Sequence, residues 1–373
     1  MLPVLILLAS DFKLEPTTLA DDLKSGYQVL AVDMNKDGHT DLIALAQGLD
    51  HLDWFENPGK AGLAWKRHVL TTGLRQPINV AAMDSDGDGI PELLLAHEFS
   101  NVPSRSKGTV SLFRSSGDPR QPWVRRDIED RPTSHRLRVA NGRFVNAPLS
   151  HATTTPPEYK GAVPVVEYAP PKFEPKVISE SESGVMHGLS VFDYNRDGRD
   201  DIFTAAFSGL AVHLSEKAGG YRRVFLHAGS PAAWPKSGSS EIALVKTNRK
   251  GDFDLASIDP WHGNEFAVYT RKGKEWKREV LDDKFEEGHT LLPIDLDGDG
   301  SEEIVYGSRK QGGTLRVAEL DKASKAWKIR SLYDGKIGTA SCAALDFDRD
   351  GRPDFACIGG VSQNLILFRN EKP

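Results

Sequence analysis

Asp295-Leu-Asp297-Gly-Asp299-Gly300-Ser-Glu-Glu303-Ile-Val-Tyr306 decides how the rest of this chain is read. Its first nine residues fit D-x-[DN]-x-D-G-x-x-[DE], and a short apolar run follows at once. Four more stretches fit the same pattern: Asp33-Asn35-Asp37-Gly38-Asp41, Asp84-Asp86-Asp88-Gly89-Glu92, Asp193-Asn195-Asp197-Gly198-Asp201 and Asp346-Asp348-Asp350-Gly351-Asp354. Alternate carboxylate and amide oxygens on a tight loop, with glycine at the sharp turn, suit a hard cation such as Ca2+. An EF-hand needs Glu at loop position twelve and a helix after it. That position holds Ala44, Leu95, Thr204, Tyr306 and Cys357, inside β-rich runs. The reading is five Ca2+ loops set between strands.

Their first ligands, at 33, 84, 193, 295 and 346, leave two gaps of double length, and each gap holds a degenerate copy. One runs from His135 through Asn141-Gly142, without the acidic middle. The other, Lys246-Thr-Asn248-Arg-Lys250-Gly251-Asp-Phe-Asp254, has lysine at positions one and five, so Lys250 can bridge the loop in place of an ion. The period is then about 50 residues repeated seven times, the mark of a propeller or solenoid. A second marker keeps the same count: an aromatic with basic and apolar neighbours recurs at Phe12, Trp65, Trp123, Phe173, Tyr221, Trp276 and Trp327. Each unit reads as four strands, except that the last stops after its third, Leu365 to Arg369. The strand after Phe12 supplies the missing fourth and closes the ring. Closure leaves only short protected edges, whereas a solenoid needs polar caps at both ends. The expected fold is all-β, a seven-bladed β-propeller of four-stranded blades spanning residues 11–373 as one domain.

These motifs resemble the FG-GAP (VCBS-type) repeat family, whose calcium-loaded hairpins build propellers in integrin α-subunits and many secreted bacterial proteins. The resemblance covers the chain from about Phe12. It implies the fold and the calcium, and says little about activity, because one fold hosts many.

Composition narrows the partners. The formal charge of −6 includes the loop carboxylates, and five Ca2+ would reverse its sign, so the bare figure favours no partner. No basic run with interleaved aromatics points to nucleic acid. No apolar stretch approaches the roughly 20 residues of a transmembrane helix. Residues 1–10, with the apolar run Leu2 to Ala9 before Ser10, look like the end of a truncated signal peptide without its basic region. Secretion or a periplasmic location is therefore expected, where millimolar calcium suits such loops. Cys342 and Cys357 fall nearly opposite each other across the Asp346 loop. Two small buried side chains are the preferred reading, with a cross-strand disulfide as the alternative in an oxidising compartment.

Chemistry gathers on the face opposite the calcium loops. Six residues before loop position one, the seven units carry Tyr27, Ile78, His135, His187, Ser240, His289 and Ala340. Three histidines at one position that opens the innermost strand can converge on the axis. Imidazoles with an open coordination position match a divalent transition-metal site such as Zn2+. The expected ligands are His135, His187 and His289; the structural alternative is a repeated histidine that bonds the next blade. Loops on the same face add His97, His151, and Asp259-Pro-Trp261-His262-Gly-Asn264. Thr133-Ser-His135-Arg136-Leu and Asp259-Pro-Trp261-His262-Gly-Asn264, with Trp54-Phe-Glu56-Asn57-Pro58, resemble the propeller domain of aldos-2-ulose dehydratases. That resemblance implies a metal-dependent elimination on a keto sugar or uronic acid. His151 or His262 would be the base, Arg136 would hold an anionic or hydroxyl-rich group, and Trp261, Asn264 and His97 would line the sugar site. The competing class is a non-catalytic module that presents loops to a glycan or protein partner.

Overall fold

The computed structural model describes residues 12–248, 253–310, 312–321, 323–335 and 337–371. The leader-like run Leu2 to Ala9 and the loop residues Lys250 and Gly251 lie outside them. Seven four-stranded antiparallel sheets form among the described residues. Six follow chain order, innermost strand first, and are numbered here as blades 1 to 6 from Gly26–Val32 onward. Blade 7 has the order Lys13–Ala20, Leu365–Glu371, Asp354–Gly359, Thr339–Leu345. Lys13 stands opposite Glu371 and Thr18 opposite Ile366, so the N-terminal strand closes the ring as its aromatic marker implies. No helix among the described residues is long and apolar enough to cross a membrane.

The second strand of a blade is covered on both sides. Asp41–Ala46, Glu92–His97, Asp201–Ala206, Glu303–Ser308 and Asp354–Gly359 are buried at every residue. That explains why the run after each acidic loop is apolar throughout instead of alternating. The marker aromatics clip blades together: the Arg330 guanidinium of blade 6 lies 4.7 Å from the Phe12 ring centre, and Trp65 packs 6.0 Å from Phe347 in the loop of blade 7.

The acidic loops share one internal bonding pattern. The first aspartate of each accepts the N–H of the loop glycine, at 2.8 to 3.1 Å. Those five glycines have φ between 81° and 90°, which a side chain would oppose. The ninth residue, Asp41, Glu92, Asp201, Glu303 or Asp354, is buried and accepts the N–H of position two. The degenerate copies lean on a neighbour instead. Asn141 exchanges hydrogen bonds with Asp200 of blade 4, and Asn248 donates to Asp299 O of blade 6 at 2.9 Å.

One expectation is corrected here. Cys342 and Cys357 are not two free thiols: they pair directly in register and form a disulfide. Their Cα atoms, 4.1 Å apart on adjacent strands, bring the sulfurs within bonding reach.

Candidate metal centre on the axis

The innermost strands bring their opening residues together: the Tyr27 ring centre lies 5.2 Å from that of His289 and 6.0 Å from that of His135. The seven positions Tyr27, Ile78, His135, His187, Ser240, His289 and Ala340 are all buried there. In four blades the residue at this position is skipped by the strand pairing: Gly26 meets Ala46 and Gln28 meets Leu45, which leaves Tyr27 unpaired. The same shift occurs at His187, His289 and Ala340. A one-residue bulge of this kind re-aims a side chain.

These positions also bond one another around the ring. His289 Nδ1 donates to Ala340 O at 2.6 Å, which leaves His289 Nε2 buried without a hydrogen-bond partner. His187 Nδ1 lies 2.8 Å from Glu241 Oε1 and 3.2 Å from Ser240 Oγ. Tyr27 Oη and His135 Nε2 are 2.7 Å apart, and His135 Nδ1 is buried without a partner. The structural alternative, histidine bonding the next blade, therefore holds for one ring nitrogen of His187 and of His289. His187 Nε2 faces Arg136 Nη2 at 3.4 Å, and His289 Nε2 remains for other work.

His187, His262 and His289 each bring one ring nitrogen within 4.8 Å of the other two. His262 Nε2 sits 3.3 Å from His187 Nε2. His135 packs beside His187, with ring centres 4.8 Å apart, but is outside this trio. Burial holds all four imidazoles well below the usual histidine pKa, and the nearby Arg136 and Arg309 guanidinium groups add to the effect. All four are neutral at pH 7, the form that ligates a metal.

A cavity of about 310 Å3 opens onto three of these rings, His135, His187 and His262, with His289 buried behind them. Its lining includes Tyr27, Gln47, Gln76, Asn101, His135, His187, Trp261, His262 and Arg309. That size is at the lower end of small-molecule sites. Trp261 thus lies where a sugar-facing ring is expected. Other expected residues lie elsewhere. Arg136 is buried beside the rings, bonded to Glu241 and donating from Nε to His187 O at 2.9 Å. His97 is buried between strands, with Nε2 2.9 Å from Ser111 Oγ. His151 lines a separate groove with Glu129 and Pro148, and its Nδ1 meets Thr153 Oγ1 at 2.9 Å. Asn264 is exposed and donates to Asp283 O at 3.2 Å.

Arg309, Gln47 and Glu241 escaped the sequence reading. A signal for the first two exists: each stands six residues past the ninth loop position, Glu303 and Asp41. In blades 1 and 6 that offset brings a polar side chain to the cavity, which the ring of histidines overshadowed.

At the loops, one carboxylate oxygen from each of Asp84, Asp86 and Asp88 lies within 4.8 Å of the other two; so it is for Asp295, Asp297 and Asp299, and for Asp346, Asp348 and Asp354. Asp348 Oδ1 is buried without a hydrogen-bond partner. Asn35 and Asn195 complete the two amide-bearing loops, each donating from Nδ2 to the aspartate at position five, Asp37 or Asp197. Burial raises Asp41 to about 6 and Asp354 to about 7 despite their backbone hydrogen bonds.

Fold and loops together define a seven-bladed propeller with acidic hairpin loops on one face and a histidine cavity on the other. Comparison with known families agrees. Residues 17–95 and 295–357 match the FG-GAP-like repeat, and residues 107–272 match the β-propeller domain of aldos-2-ulose dehydratase. The chain carries FG-GAP-like repeats, and its middle, which includes His135, His187 and His262, is similar to that dehydratase domain. No curated protein sequence matches the chain. Solved structures share the fold at low identity. A PQQ-bound aldose sugar dehydrogenase from Streptomyces coelicolor has 11% identity and a TM-score of 0.51, over 96% of this chain and 99% of that one. A lectin from Agrocybe aegerita that recognises non-reducing terminal N-acetylglucosamine has 14% identity and a TM-score of 0.54, over 94% and 87%. A putative 6-phosphogluconolactonase from Bacteroides fragilis has 12% identity and a TM-score of 0.52, over 93% and 95%.

Proposed function

We propose that this protein is a metal-dependent carbon–oxygen lyase that eliminates water or alcohol from a keto sugar or uronic acid, on a propeller stiffened by five Ca2+. The observation that carries the reading is the trio His187, His262 and His289 beside the cavity. His187 and His289 each have Nδ1 committed to an acceptor, which directs an Nε2 lone pair to the shared space. Acceptors of this kind orient the imidazoles of metal sites. The buried, unpartnered His289 Nε2 fits a metal and fits no hydrogen bond among the described residues.

A divalent metal there would act as a Lewis acid that polarises a sugar carbonyl or carboxylate and so acidifies the adjacent C–H. The chain supplies the remainder. With its Nε2–H given to Tyr27 Oη, His135 would keep a lone pair at Nδ1, and it is the imidazole we assign to take the proton. Trp261 offers an apolar face to the sugar, while Gln47, Gln76 and Asn101 suit its hydroxyls. His135 and His262 thereby exchange the roles expected from sequence. Similarity of residues 107–272 to the aldos-2-ulose dehydratase domain supports the reaction class. The carboxylate clusters and the buried Asp348 oxygen support calcium at the loops, and the disulfide favours a secreted or periplasmic location.

Elemental analysis of protein purified without chelator tests both metals. Five calcium ions and one transition-metal ion per chain are expected. His289→Ala should lose the transition metal, keep the calcium, and lose elimination on a panel of keto sugars and uronic-acid oligomers. Calcium alone in the wild type, with glycan binding but no turnover, would replace the lyase reading by that of a binding module.

A further inference from the structure

The hydrogen bonds around His262 run in one direction. Arg309 Nη2 lies 3.1 Å from His262 Nδ1. A guanidinium only donates, so Nδ1 accepts. At the far end, Arg136 Nη2 lies 3.3 Å from His187 Nδ1 and 3.4 Å from its Nε2, but the closest contact of Nδ1 is Glu241 Oε1 at 2.8 Å; a carboxylate oxygen only accepts, so this Nδ1 donates and Nε2 is left as the acceptor. A neutral imidazole carries a single N–H. The 3.3 Å link between them therefore runs from His262 Nε2–H to the His187 Nε2 lone pair. As the structure stands, His187 and His289 offer lone pairs at Nε2, and His262 offers a proton. For His262 to ligate through Nε2, its proton must move to Nδ1, which would then face the Arg309 donors.

Arg309 has somewhere else to go. Its side chain is 31% exposed, and Glu287 Oε2 lies 3.4 Å from its Nε. It is the one arginine, lysine, aspartate or glutamate among the described residues that line the cavity. A cavity with a single fixed positive charge and several amides favours an anionic, hydroxyl-rich molecule.

We propose that Arg309 couples the metal to an anionic ligand: it leaves His262 to bind the carboxylate of a sugar acid, and His262 then shifts its proton to Nδ1 and completes the metal site. No proton is gained or lost in that shift. The planar guanidinium matches a carboxylate with two parallel hydrogen bonds. This coupling rests on the metal reading of the trio. By linkage, each ligand must strengthen the other by the same factor. Arg309 is thus a positioning residue for the metal and a binding residue for the sugar acid.

The test is a calorimetric zinc titration of the full chain in excess calcium, with D-galacturonate, with neutral D-galactose, or with neither. Galacturonate should tighten zinc binding roughly tenfold, within the usual range of coupling between sites, and galactose should leave it unchanged. Arg309→Met should bind zinc alone more tightly than the wild type and lose the galacturonate effect. Nitrogen NMR of the histidines should show the His262 proton moving from Nε2 to Nδ1 when both ligands are present. Equal zinc affinity with galacturonate, galactose or neither, in a wild type that does bind zinc, would overturn the coupling and leave the metal reading standing. That comparison needs no variant to fold. A wild type that binds no more zinc than His289→Ala would overturn both.

Discussion

Replacing Glu182 with glutamine should remove a pH-dependent join between blades 3 and 4. Glu182 stands near the end of the outer strand Pro175–Ser183 of blade 3, yet its carboxylate is buried against blade 4. It lies 3.0 Å from Ser208 Oγ, 2.7 Å from Arg223 Nε and 3.4 Å from His213 Nε2. Burial alone would raise its pKa, but the hydrogen bonds and charges of His213 and Arg223 outweigh burial and lower it from 4.5 to about 2. A carboxylate depressed in the folded state gives stability that is complete above its unfolded value. That stability is lost as pH falls toward 2, because the unfolded chain takes up the proton first. At about 1.4 kcal/mol per pH unit, the shift corresponds to about 3 kcal/mol. Glutamine mimics the protonated acid. Denaturant unfolding at pH 6 should therefore show Glu182→Gln less stable by about 3 kcal/mol, and at pH 3 the gap should close to about 1 kcal/mol. The acidic loops titrate in both proteins and cancel in that comparison. A gap that is the same at pH 3 and pH 6 would refute the assigned ion cluster.

Chelation with EDTA should lower the melting temperature, since each site held at 100 times its Kd contributes about 2.7 kcal/mol; an unchanged melt, with no calcium found by elemental analysis, would remove calcium from the loops. Deleting residues 12–20 should leave Leu365–Glu371 as an open edge and cause aggregation, followed by light scattering. A soluble truncation of undiminished stability would mean that the ring does not depend on its closing strand.

The fold was legible because the repeat writes the same physical demand five times, oxygens and a glycine to turn the loop and then a strand covered on both sides, and keeps its spacing through two degenerate copies. Ring closure was legible because Phe12 carries a marker that the last unit lacks. Trp261 and His262 were named for this face from their connection, but the ligand role was legible only where it follows that period. His187 and His289 stand at repeat positions and were found by counting. His262 belongs to a connection after Phe253–Asp259, with φ 47°, whose path the repeat does not set, so its approach to His187 was hidden. Arg136 was read as free to hold a substrate, but its pairing with Glu241 arises between blades that are 105 residues apart. The state of the two cysteines was equally beyond reach: hairpin register placed them opposite each other, and spacing alone says nothing of oxidation.

Because Lys13 and Glu371 lie side by side on blade 7, the blades follow chain order around the ring but the point at which the chain enters it is a separate matter. The trio occupies blades 4, 5 and 6, and His289 bonds Ala340 O on the innermost strand of blade 7, at the opposite edge of that sheet from the seam. A circular permutant that links Phe12 to Glu371 and opens the chain at the exposed turn around Gly219, between two strands of blade 4, should assemble the same disc. In such a molecule the ends would sit within a blade that holds a ligand, and the disulfide of blade 7 would become an interior staple. The chain's beginning and end would then be a matter of genetic punctuation, not of architecture.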